Sequence, residues 1–152
     1  MRIDCQSHIF PPEYVDILLK ANSYSDNRDE HDQAQFARPR TEKIDDSIYR
    51  VSYRRWQSFQ IDLGDYDSLA KLRAMDKADI DLSIISVNIP NPCLLPSKLS
   101  VKGAQIINNY IADLATKNPN RFAGCRVCEP ESSTLVVSLF LWNPWNTSFS
   151  GH

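Results

Sequence analysis

The sequence lacks any apolar stretch long enough to cross a membrane. Its longest, Leu135–Trp142, has 8 residues, whereas a spanning helix needs about 20. The N-terminus also lacks the basic-then-apolar order of a secretory signal, because Asp4, Gln6 and His8 follow its one arginine. We therefore expect a cytoplasmic protein that does not act at a membrane.

A strong charge of either sign is also lacking. Lysine and arginine number 17 against 19 aspartates and glutamates, which gives a net charge of −2. No global field would attract nucleic acid or anionic lipid, so a small molecule or another protein is the expected partner. Cysteine is sparse, and in a reducing compartment the following residues are expected to be free thiols: Cys5, Cys93, Cys125 and Cys128.

The 152 residues are enough for one domain with a core, and their patterns alternate between strand and helix. Leu82–Val87 is a nearly continuous apolar run rich in β-branched residues, typical of a strand covered on both faces in a parallel sheet. The other predicted elements are a weak strand at Met1–Cys5, a short helix ending near Lys20, a helix over residues 69–78 capped by Asp65 or Asp67, a helix at Ala104–Thr116 and a strand at Arg121–Val127. This order predicts a parallel α/β fold.

Two segments depart from the alternation. Residues 21–64 are polar, show no helical period and include the basic aromatic stretch YRVSYRRW at Tyr49–Trp56, so we interpret them as an insertion or loop. Residues 131–152 contain no lysine or arginine and do not continue the alternation. We expect this tail to be unrelated to the preceding units and poorly ordered, with its apolar run prone to aggregation.

Three stretches together resemble the amidohydrolase-related family, in particular its aminocarboxymuconate-semialdehyde decarboxylase-like branch. MRIDCQSHIFPPEY resembles the first strand of that family, which ends in His-x-His followed by an apolar pair and proline. LRAMDKADIDLSIISVNIP is similar to the second helix and strand, and NNYIADLATKNPNRFAGCRV is similar to the third unit. The three matches occur in the family's order and spacing and cover roughly residues 1–130.

The resemblance implies a metal-dependent (β/α)8 barrel, a TIM barrel, that acts on a small aromatic or enol carboxylic acid. The expected reaction is removal of a carboxylate or addition of water, with the site at the C-terminal ends of the strands. Such a barrel takes about 250 residues, so we expect this chain to form only about the first three units, a partial barrel. Its open edge would permit association with a second copy.

Within that resemblance, His8 matches the second histidine of the metal-binding pair, and Gln6 stands in place of the first. Two strand residues separated by a single residue point to the same side of the sheet, so His8 and Gln6 could both contact one divalent ion. The resemblance implies that this ion is zinc-like. An amide oxygen suits calcium or magnesium better than zinc, and we expect Gln6 to weaken transition-metal binding. His31, in the polar segment, and His152, the last residue, do not complete the pair.

The resemblance also implies substrate-binding residues. Arg50 lies where this branch has an arginine that holds the substrate carboxylate, and a guanidinium fork suits that task. A charged, exposed loop is the alternative, and Arg54 and Arg55 compete for the role. Asn88 is expected at the mouth of the barrel after the second strand.

Cys125 and Cys128 have the C-x-x-C spacing of redox and zinc motifs. Residues three apart on a strand face opposite sides, and the chain offers no second pair for a structural zinc. We interpret them as small packed residues. Because Arg126 and Cys128 follow the third predicted strand, either residue is expected to line the mouth of the barrel.

Two functional hypotheses follow from these features. In the first, the chain is a metal-dependent decarboxylase or hydrolase of this family, although the family's catalytic residues lie beyond the matched region and none can be assigned here. In the second, it is a non-catalytic remnant, a paralogue retained for binding, or a fragmentary gene product whose tail begins at an exon boundary near Pro130. The glutamine at position 6 and the tail favour the second for the chain alone.

Overall fold

The computed structural model describes residues 1–24, 39–53 and 57–127. Its elements in chain order are β1 (Ile3–Ile9), α1 (Pro12–Ala21), β2 (Arg40–Lys43), β3 (Ile48–Tyr53), β4 (Gln57–Asp62), α2 (Ser68–Lys77), β5 (Leu82–Val87), α3 (Ser97–Lys117) and β6 (Phe122–Gly124). Short 3-10 turns occur at Leu63–Tyr66 and Pro92–Leu94. No helix in the described ranges is long and apolar enough to cross a membrane.

β1, β5 and β6 form a parallel sheet in that order. The β1–β5 register places Ile3 opposite Leu82 and His8 opposite Ser86, with a shift between Asp4 and Ser7 that indicates a β-bulge. Helical crossovers connect these parallel strands, as their geometry requires. The predicted α/β class is confirmed, and a partial barrel is consistent with three neighbouring parallel strands.

Helices cover one side of the parallel sheet. On β5, Ser83 and Ile85 are buried, whereas Leu82, Ile84 and Ser86 on the opposite side are only half-buried. Buried apolar residues of the helices complete the core on the covered side: Val15, Ile17 and Leu18 of α1, Met75 of α2, and Ile107, Ile111 and Leu114 of α3. The prediction that Leu82–Val87 is covered on both faces was therefore wrong for the described residues. We call the less covered side the open face.

The predicted irregular segment 21–64 contains a second sheet. β2, β3 and β4 are antiparallel in that order, and Thr41, Val51 and Ile61 are buried. Asn22, just after α1, binds both backbone groups of Thr41, with distances of 2.7 Å to the carbonyl oxygen and 3.1 Å to the nitrogen. The prediction of no regular element here was wrong over residues 40–62, because few apolar residues are needed to cover one face of so small a sheet.

The sequence predicted the cap of α2 correctly but placed the start of α3 too late. Asp67 caps α2 as predicted, and its carboxylate accepts the backbone N–H groups of Leu69 and Ala70. α3 begins at Ser97 rather than at Ala104. Its additional first turns bury Leu99, Ser100 and Gly103, of which Leu99 alone gives a strong apolar signal.

The phenol of Tyr14 predicts how stability changes in alkali. This buried hydroxyl donates a hydrogen bond to the Pro90 carbonyl oxygen at 2.7 Å, and burial, with a smaller contribution from Cys93, raises its pKa far above the ordinary value. The unfolded tyrosine ionises near pH 10, so above that pH the folded state retains a proton that the unfolded state has lost. We expect this group's contribution to the free energy of unfolding to fall by about 1.4 kcal/mol per pH unit above pH 10.

Urea denaturation between pH 8 and pH 11 checks this expectation. Tyr14→Phe lacks the ionisable group and should show a shallower alkaline loss than the parent chain, although it should start about 1–2 kcal/mol less stable because the Pro90 carbonyl loses its donor. Parallel pH profiles of the two proteins would contradict the assignment.

Candidate functional site

The carboxyl ends of the three parallel strands lie at one edge of the sheet. His8 on β1 is paired with Ser86 on β5, and Cys125 follows directly after β6, where its backbone nitrogen donates to the Ile85 carbonyl oxygen at 2.8 Å. The His8 Nδ1 atom lies 3.3 Å from the Ser86 Oγ atom. The strand ends thus bring polar side chains together at the place where α/β barrels carry their sites.

Ser7 establishes which way His8 faces. The Lys71 ammonium of α2 donates to the Ser7 hydroxyl at 3.1 Å, so Ser7 faces the helices. Desolvation lowers the pKa of Lys71, and the nearby Asp4 carboxylate opposes that shift. Because successive strand residues alternate in direction, His8 faces away from α2 and onto the open face.

Gln6 lies within the bulge of β1. Its side chain is exposed, and its backbone nitrogen donates to the Asp4 carboxylate at 3.0 Å. The Asp4 carboxylate therefore holds the local backbone of the bulge. That hydrogen bond fixes the chain immediately before His8.

The described residues do not supply a full set of metal ligands. No group of three or more histidine, cysteine, aspartate or glutamate side chains within residues 1–24, 39–53 and 57–127 is placed to hold an ion. His8 is half-buried and one of its ring nitrogens contacts the Ser86 hydroxyl. The residues that would hold a divalent cation here are His8, through its other ring nitrogen, and Gln6, through its amide oxygen, and both roles stay predictions. His31 and His152 lie outside the described residues.

Arg50 lies on β3, in the antiparallel sheet. Its side chain is exposed, and its guanidinium is 3.8 Å from the carboxylate of Glu42 on β2. The adjacent Val51 is buried, so Arg50 faces the solvent side of this sheet. Its contacts are within that sheet, and its role in holding a carboxylate stays a prediction. Arg54 and Arg55 lie outside the described residues.

Asn88 directly follows β5 and is half-buried. Its side-chain oxygen accepts the backbone N–H of Ile89 at 2.8 Å, which shapes the loop leaving the strand. The structure therefore places Asn88 at the same end of the sheet as His8, and its role toward a substrate stays a prediction.

Cys125 and Arg126 also occupy this end, after β6. Burial raises the pKa of the Cys125 thiol, so at neutral pH it is protonated and is not an activated nucleophile. Arg126 is exposed, and Cys128 lies outside the described residues.

Sequence reasoning did not identify Ser86. Ser86 is one of two serines in an otherwise apolar strand, and its contact with His8 depends on the pairing of two strands 78 positions apart in the chain. Aligning the carboxyl ends of the first two predicted strands of the parallel sheet would have been the one way to infer this contact from the sequence.

Comparisons with known proteins bear on the fold. No protein-family model matches the chain, and no curated protein matches it. Among solved structures it is similar to an amidohydrolase II, with a TM-score of 0.51, 17% identity and coverage of 83% of this chain and 31% of that one. It is also similar to 5-carboxyvanillate decarboxylase from Sphingomonas paucimobilis, with a TM-score of 0.54, 16% identity and coverage of 82% and 33%.

A 2,6-dihydroxybenzoate decarboxylase from Rhizobium matches less closely, with a TM-score of 0.44, 18% identity and coverage of 83% and 30%. The first two structures support the predicted amidohydrolase-type fold. The chain spans about a third of their length.

Proposed function

We propose that this chain supplies the first β/α units of a metal-dependent decarboxylase or hydrolase that acts on small aromatic or enol carboxylic acids. One observation carries the proposal: His8 faces the open side of a parallel sheet at the carboxyl end of its first strand, two residues after the exposed Gln6. The fold shared with 5-carboxyvanillate decarboxylase supports it, since that protein's name gives an aromatic carboxylic acid as substrate.

In this proposal His8 and Gln6 hold part of a divalent ion's coordination shell, with zinc as the expected ion and water molecules in the remaining positions. The bound ion would supply Lewis acidity toward a carbonyl or a water molecule. Arg50 is proposed to hold the substrate carboxylate and Asn88 to line the mouth. We place the chain in the aminocarboxymuconate-semialdehyde decarboxylase-like branch and in the cytoplasm.

A non-catalytic binding role is the second candidate. The Gln6 replacement favours it, because an amide oxygen is a poor zinc ligand. Association through the edge of β6, which pairs with no further strand within the described ranges, including with a second copy, would suit this role. Turnover of an aromatic carboxylic acid by the metal-loaded chain would distinguish the enzyme from the binding protein.

Calorimetric titration with Zn2+ tests the ligand assignment. We expect one weak site in the parent chain, an affinity at least about tenfold lower in His8→Ala, and no change in His31→Ala, the matched histidine variant. Tenfold corresponds to about 1.4 kcal/mol. A parent chain that binds no zinc, or a His8→Ala variant that binds zinc equally well, would overturn the assignment.

A further inference from the structure

We propose that Ser86 is a positioning residue for His8, with its hydroxyl oxygen accepting the Nδ1–H of the imidazole so that Nε2 is the nitrogen presented to a metal ion. The metal-binding part of this inference rests on the proposed function. The part that concerns the protonation of the ring is a property of the protein alone.

Strand pairing produces the contact. His8 and Ser86 are opposite residues in the parallel β1–β5 register, so their side chains stand side by side on one face of the sheet. The His8 Nδ1 atom is 3.3 Å from Ser86 Oγ, and both side chains are half-buried. Two regular strands therefore hold the ring in place, which gives more precise placement than a loop would.

Contacts on the helix-facing side of β1 also hold His8 in this orientation. The hydrogen bond from Lys71 to Ser7 at 3.1 Å and that from the Gln6 backbone to Asp4 at 3.0 Å fix the residues immediately before His8. β1 is thus held on its helix side while Ser86 engages the histidine on the open side. Rotation of the strand that would carry His8 away from Ser86 would break these contacts.

The chemistry of imidazole connects this contact to metal binding. A neutral ring carries a proton on one nitrogen and a lone pair on the other, and the hydrogen bond at one nitrogen determines which form is present. A serine oxygen that accepts from Nδ1–H leaves the lone pair on Nε2, which lies at the far end of the ring from the backbone. Histidines that bind metals generally donate their second N–H to a neighbouring acceptor in this way.

Three variants separate the hydroxyl from general packing. Ser86→Ala removes the acceptor, and Ser86→Thr retains it in a residue suited to strands. Ser83→Ala is the matched control, because Ser83 is on the same strand, faces the helices and has a buried hydroxyl without a hydrogen-bond partner within the described part of the chain. Circular dichroism establishes that each variant is folded.

Nitrogen-15 NMR of the metal-free protein near pH 8.5, with His8 assigned by its absence from His8→Ala, reports the tautomer. We expect the Nδ1–H form in the parent chain, in Ser86→Thr and in Ser83→Ala, and a substantial shift toward Nε2–H in Ser86→Ala. An Nε2–H ring in the parent chain, or a Ser86→Ala spectrum identical to that of the parent chain, would overturn the proposal.

Zinc titration of the same variants provides a separate readout. We expect Ser86→Ala to weaken zinc binding on the order of tenfold, as loss of a partner behind a ligand does elsewhere, while Ser86→Thr and Ser83→Ala bind as the parent chain does. Unchanged affinity in Ser86→Ala would refute the positioning role while leaving the function intact. Absence of zinc binding in the parent chain would refute the function, and the tautomer would still decide the role of Ser86.

Discussion

Gly124→Ala should lower the free energy of unfolding by about 3 kcal/mol, at the upper end of the range for overpacking. Gly124 lies at the end of β6 against α3, and a Cβ atom there would collide with the Cγ2 atom of Ile111. Ile111 is buried, and its branched side chain cannot move aside without disturbing the core. Urea denaturation followed by circular dichroism measures the loss.

A control and a rescue separate this collision from a general effect of removing glycine. At exposed Gly64 a Cβ atom would lie 3.2 Å from the flexible carboxylate of Asp62, so Gly64→Ala should change stability by no more than about 0.5 kcal/mol. Ile111→Leu removes the colliding branch, and the double variant should be more stable than Gly124→Ala alone. Equal losses at both glycines would contradict the packing of β6 on α3.

Gln6→His should strengthen zinc binding by at least about tenfold, or 1.4 kcal/mol. The substitution replaces an amide oxygen with an imidazole nitrogen, a ligand that zinc prefers. Gln6 is exposed and lies two residues before His8 on the first strand, and the proposal therefore places the new ring on the same ion. Calorimetric titration of both proteins under identical conditions measures the gain.

Gln105→His is the matched control, since Gln105 is exposed on α3 and belongs to no proposed site. It should bind zinc as the parent chain does. If Gln6→His gave no gain, or if Gln105→His gave the same gain, residues 6 and 8 would not share an ion.

Local sequence patterns were sufficient to predict β5 and the start of α2. The run at Leu82–Val87 predicted β5 with correct bounds because β-branched apolar residues fill it, and Asp67 predicted the start of α2 because a carboxylate there caps the helix. The order of strands and helices gave the α/β class, and the likeness to solved structures supports the amidohydrolase-type fold.

Other features depend on contacts that a single segment does not reveal. Among the residues of β2–β4 whose burial is described, the buried ones are Thr41, Val51 and Ile61, and no apolar alternation stood out. The first turns of α3 bury Ser100 and a glycine. At the candidate site, the resemblance to the amidohydrolase-related family pointed to His8 and Gln6, whose metal-binding roles stay predictions, whereas the contact between Ser86 and His8 required knowledge of strand register.

Zinc K-edge X-ray absorption on the zinc-loaded protein tests the central claim most directly, because it identifies the atoms around the ion. The structure predicts nitrogen and oxygen scatterers near 2.0–2.1 Å, with an imidazole signature that disappears in His8→Ala. A shell dominated by sulfur near 2.3 Å, indicating cysteines such as Cys5 or Cys125, or an imidazole signature that persists in His8→Ala, would contradict a metal site at the end of β1.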